Sequence, residues 1–84
     1  MPYAIKVKAS AAKALARIKE ADRKRITDAI DRLAEEPHAG SVLKGEFAGL
    51  RRIRVGDYRV IYEVDEGVLL VLVVRIANRQ EAFR

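Results

Sequence analysis

The chain has 84 residues, half of them hydrophobic, and 17 Lys and Arg against 12 Asp and Glu leave a formal net charge of +5. That length gives one domain, residues 1–84, and the apolar share excludes a disordered chain, which lacks the mass to offset the entropy of ordering. With no cysteine and a single histidine, His38, there is no basis for a disulfide framework, a thiolate or imidazole metal site or a two-histidine nuclease mechanism, and no metal or cofactor is expected.

The N-terminus lacks the pattern of a signal peptide, and the longest apolar run, Val68 to Val74, is far short of the roughly 20 residues of a membrane-spanning helix. A soluble, cytoplasmic protein that does not bind membranes is the expectation. Its basic balance calls for an anionic partner, most often nucleic acid.

Tyr3, Ile5 and Val7 alternate with Ala4, Lys6 and Lys8, the period of a half-buried strand. Ser10 then caps a first helix over residues 11–21, rich in strong helix formers. Asp22 caps a second, in which Ile26, Ala29, Ile30, Leu33 and Ala34 form one apolar stripe. Pro37 disfavours helical geometry in the residue before it, so this helix should stop at Glu36. Residues 37–49 read as a loop, with Leu43 and Phe47 available to pin it to the core. Three strands follow, at 50–55, 58–64 and 68–77, joined by Gly56-Asp57 and Asp65-Glu66-Gly67 at hairpin lengths.

The order is strand, helix, helix, then a three-stranded antiparallel meander: an α+β fold with both helices on one face of the sheet and the opposite face open. Every basic residue after Lys44 is an arginine, a planar fork that binds phosphate at two points. Side chains alternate along a strand, so Arg52 and Arg54 share the open face with Arg59, while Ile53 and Val55 turn to the helices. Arg75 and Arg79 join them if the last strand runs on extended. The last strand is apolar on both sides until its end, as a central strand should be. His38 reads as a surface loop residue, and Tyr58 and Tyr62 as core packing.

The run GLRRIRVGDYRVIYEV from Gly49 to Val64, the apolar strand after it and the ending NRQEAFR resemble the RelE/ParE superfamily of toxins from toxin–antitoxin pairs. The likeness covers the whole chain and is closer to RelE. It implies a RelE-like fold and a metal-independent endoribonuclease that enters the ribosomal A site and cuts messenger RNA there, by attack of a ribose 2′-hydroxyl on the adjacent phosphate. It also implies a RelB-like antitoxin partner in a hetero-oligomer. Carried over by position, Arg59 and Arg79 stabilise transition-state charge, while Arg52 and Arg54 hold the backbone and one of them serves in proton transfer. Arg51, Arg75, Phe83 and Arg84 join the RNA contacts.

Two departures bear on mechanism. Phe83 stands where relatives often carry an active-site tyrosine, and Asn78 where histidine or lysine is common. Glu81 or Glu63 is then the carboxylate left to move a proton, unless ribosomal RNA contributes. The same resemblance leaves two other outcomes: a ParE-like inhibitor of DNA gyrase, or a weakly active or inactive member that keeps RNA and antitoxin binding.

Overall fold

In the computed structural model, which describes residues 2–78, the chain forms two helices and a five-stranded sheet. Strand β1 spans Ala4–Val7, and helices α1 and α2 span Ala9–Ala16 and Glu20–Arg32. A two-residue strand β2, Ser41–Val42, precedes β3, Arg51–Val55, β4, Tyr58–Asp65, and β5, Leu70–Asn78. The sheet order is β1-β5-β4-β3-β2, with β1 parallel to β5 and all other neighbours antiparallel.

The α+β architecture expected from the sequence is therefore present, and β5 is central, flanked by β1 and β4. Its edges are new. The segment 37–49 is not featureless: it contributes β2 and a single 3-10 turn, Gly45–Phe47. Leu43 is half-buried and its N–H donates to the Leu50 carbonyl at 2.9 Å, whereas Phe47 stays 38% exposed and is absent from the core cluster.

Both helix starts differ from expectation. Lys8 and Lys19, in extended geometry, precede α1 and α2, and neither side chain caps its helix. Ser10 lies inside α1. Asp22 sits in the first turn of α2, where its charge suits the positive helix end and lies 3.9 Å from both Lys19 and Arg25. Regular α-helix ends at Arg32 and not Glu36, because the last turn tightens. Leu33, Ala34 and Glu35 bond three residues back, to Ile30, Asp31 and Arg32, which satisfies terminal carbonyls before Pro37.

The core lies between the helices and one face of the sheet. Ala11 and Ile18 from the α1 side and Ile26, Ile30 and Leu33 from the α2 side meet Val60, Tyr62, Val71, Val73 and Ile76. No described helix is long and apolar enough to cross a membrane.

A β-bulge decides which β5 residues face which way. Ile61 pairs with Arg75 but Tyr62 pairs with Val73, so Val74 is skipped. Strict alternation would put Arg75 beside Val71 and Val73. The bulge instead returns Ile76 to the core and leaves Arg75 exposed on the opposite face.

A candidate nucleic-acid interface on the arginine face

Arg54 and Arg59 are directly paired across the β3–β4 ladder, next to the Gly56-Asp57 turn. The two-residue connection needs a left-handed backbone, and Gly56 supplies it at φ +58°. Side chains paired this way have Cβ atoms about 4.5–5.5 Å apart. One row of the ladder runs Arg54, Arg59, Ala77 across β3, β4 and β5, and the next runs Arg52, Ile61, Arg75. Four arginines thus occupy two adjacent rows of one face, as the alternation predicted for Arg52, Arg54 and Arg59.

The face is not uniformly bare. Arg54 and Arg75 are exposed and Arg52 is half-buried, but Arg59 is only 7% exposed, and Ile61 and Ala77 beside it are buried too. Burial on a central strand lowers the local dielectric around the Arg59 guanidinium and strengthens its pull on an anion.

Arg51 departs from the expected grouping. It shares parity with Ile53 and Val55, so it lies on the helix side, where its Nη1 donates to the carbonyls of Gly40 at 2.8 Å and His38 at 3.3 Å. The same loop is held from the core by Tyr62, whose hydroxyl donates to the Pro37 carbonyl and accepts from the Gly40 N–H, both at 2.9 Å. Burial raises the Tyr62 hydroxyl above the ordinary tyrosine pKa of 10.0, against the opposing effects of the Gly40 N–H and the Arg51 charge. Tyr62 is core, as its place in the alternation implies; its role as a loop clamp has no periodic signal. His38 is a half-exposed loop residue, with Nε2 2.8 Å from Glu66 Oε1.

The described residues leave proton transfer to others. Glu63 shares the arginine face but lies four residues along β4 from Arg59, about 13 Å at strand rise, beyond reach of a phosphate held between Arg54 and Arg59. Arg79, Glu81, Phe83 and Arg84 fall outside the described residues.

A cleft of about 420 Å³ lies between α2 and β3. Its lining mixes Arg25, Arg32 and Arg54 with Asp28 and Glu36, so Arg54 borders both this cleft and the arginine face. Four arginines gather instead on the sheet.

Residues 5–83 match the family described as the ParE toxin of the type II toxin-antitoxin system parDE. The RelE toxin of Mycobacterium tuberculosis is 34% identical over 85 residues, spanning 99% of this chain and 88% of that one. The fold superposes on the RelBE2 toxin–antitoxin complex of the same organism with a TM-score of 0.86 at 27% identity, covering 94% of this chain and 100% of that chain. It also matches the archaeal RelE–RelB complex of Pyrococcus horikoshii, with a TM-score of 0.79, 32% identity and coverage of 96% and 99%. A five-stranded sheet with two helices on one face and arginines on the other is, with these likenesses, the architecture of a type II toxin. The chain belongs to the RelE/ParE toxin family.

Proposed function

We propose that this toxin is a ribosome-dependent endoribonuclease that cuts messenger RNA in the A site and is held inactive by a RelB-like antitoxin covering its arginine face. In the step, the 2′-oxygen forms a bond to phosphorus as the bond to the 5′-oxygen breaks. The 2′-hydroxyl loses its proton to a base, the 5′-oxygen gains one, and a 2′,3′-cyclic phosphate and a free 5′-hydroxyl result. Negative charge grows on the non-bridging oxygens in between, where arginines stabilise it most.

The observation that carries this reading is the direct pairing of Arg54 with Arg59. Two like charges opposite each other on a strand pair repel, and an anion between them turns that repulsion into attraction. A phosphate fits there, with Arg59 partly desolvated and Arg54 and Arg52 following the backbone. Arg79 takes the second charge-stabilising role by resemblance alone. Arg51 leaves the set of RNA contacts, being on the other face and committed to the Gly40 carbonyl.

Purified toxin added to a translating extract should create new 5′ ends inside codons, and Arg59→Ala should slow their appearance about 100- to 1,000-fold. Intact message at toxin excess would sink the proposal. Gyrase supercoiling measured alongside should be unaffected; its loss with message intact points to the ParE-like alternative.

A further inference from the structure

We infer that Lys6 and Lys8, at the β1 edge, extend the arginine face into a track for successive phosphates of one RNA strand crossing the sheet. The inference rests on the ribonuclease reading above. Tyr3, Ile5 and Val7 pack against the core, so the alternation places Ala4 and Lys6 on the opposite face, and both are exposed. Lys6 pairs with Leu72 in the β1–β5 register. Lys8 continues the strand by one residue: its backbone stays extended at φ −58° and ψ 144°, and its N–H donates to the Val73 carbonyl at 2.9 Å. It is therefore one step past the pairing of Val7 with Val73, beside the bulge that exposes Arg75. Lys8 and Arg75 line the same shallow cleft of about 360 Å³, together with Ser10 and Ala77, where β1 gives way to α1.

The row through Arg52, Ile61 and Arg75 runs on to the β1 edge beside Lys8, which by register falls opposite Val74, one residue short of Arg75. It crosses three strand spacings, about 14 Å in all, too long for one phosphate and suited to consecutive ones. Among the described residues neither Lys6 nor Lys8 makes an ion pair, and the lining of the cleft contains no acidic residue. Two acidic groups on β4 share this face: Glu63 stands in the row of Lys6, across Leu72 and two strands away, and Asp65 lies one row beyond, so together they bound the track on that side. Lysine is a compact charge on a flexible stem and follows a backbone without demanding one geometry. Such contacts give affinity that does not depend on base sequence, while the arginines set the register of the scissile phosphate.

The test is the salt dependence of binding to a short labelled single-stranded RNA, followed by fluorescence anisotropy. For Lys6→Ala/Lys8→Ala the slope of log affinity against log salt should fall by about 1.4, roughly 0.7 for each phosphate no longer neutralised, and Lys6→Arg/Lys8→Arg should restore it. Circular dichroism and a melting curve establish that the double variant is folded. An unchanged slope in a folded double variant, with the parent binding RNA and Arg52→Ala weakening it, overturns the track and leaves the ribonuclease reading standing. Absence of RNA binding by the parent overturns both. If the lysine variant keeps the parental RNA slope but no longer binds an acidic antitoxin segment, the two lysines belong to the protein partner and the track is wrong.

Discussion

Arg54 on β3 and Arg59 on β4 are opposite one another in an antiparallel ladder, a like-charged pair where sheets favour opposite charges or apolar neighbours. Arg52 and Arg75 stand one row away on the same face. A fold that gathers them in this way favours an anion laid across them. The cleft between α2 and β3 sets Asp28 and Glu36 among Arg25, Arg32 and Arg54, so the ladder of arginines and not that concavity locates the site.

Removing one member of the pair should stabilise the free protein. Arg54 is exposed and contributes little packing, so Arg54→Ala is expected to raise the unfolding free energy in urea by about 0.2–1 kcal/mol at low salt. The gain should shrink as salt screens the parent's repulsion, while message cleavage falls. A drop in stability at low salt would show that the pair is not repulsive in the folded state.

Arg51 and Tyr62 grip the same residue from two sides, Arg51 at the Gly40 carbonyl and Tyr62 at the Gly40 N–H. Tyr62→Phe leaves a buried N–H and the Pro37 carbonyl without that hydroxyl and should cost about 1–3 kcal/mol; Arg51→Ala should cost about 0.5–1.5 kcal/mol. In a double-mutant cycle the two effects should couple by at least about 0.5 kcal/mol, since either change loosens the loop that the other holds. Additive effects would mean that the two hydrogen bonds act independently. RNA affinity should drop less for Arg51→Ala than for Arg52→Ala, in keeping with the face each occupies.

How much is legible in the sequence follows from which interactions are local. The alternation of Arg52, Ile53, Arg54 and Val55 announces one polar and one apolar face over a single strand, and a two-residue turn at Gly56-Asp57 announces the hairpin. Arg75 is harder: parity along β5 puts it on the arginine face only by carrying Val71 and Val73 there too, and it is the bulge in the pairing of β5 with β4 that leaves Arg75 on that face and those valines in the core. The β2 strand has two residues, too few to show any period, and exists because β3 offers it an edge. Ser10 and Asp22 have the chemistry of caps, but tertiary packing moves both helix starts. The bend between the helices carries Ile18 into the core, so α2 begins after Lys19. The Tyr62 clamp joins positions more than 20 residues apart, and nothing in local pattern distinguishes it from an ordinary core tyrosine.

The raised Tyr62 pKa makes stability fall at high pH. A tyrosine whose folded pKa lies above its unfolded value keeps its proton longer in the native state, so above about pH 10 the unfolded chain binds fewer protons and gains relative stability. The stability present below that pH should be lost progressively as pH rises beyond it, and Tyr62→Phe should flatten this limb of the urea midpoint against pH. A parental curve with the same slope as that of Tyr62→Phe above pH 10 contradicts the assignment.

Gly40 is fixed by space and not by backbone angle. A Cβ added there would lie 2.6 Å from the Arg52 carbonyl oxygen and 2.7 Å from the Tyr62 hydroxyl, closer than side-chain carbons approach such atoms. Gly40→Ala should therefore cost about 1–3 kcal/mol through overpacking. It should also lower cleavage, because the displaced carbonyl belongs to the residue that presents Arg52 to the RNA. In a Tyr62→Phe background one of the two collisions disappears while that with the Arg52 backbone remains, so the penalty for Gly40→Ala should shrink without vanishing. Urea denaturation of the four proteins in this cycle measures it. A penalty equal in both backgrounds would place the whole cost on β3, and no penalty in the Phe background would place it all on the hydroxyl.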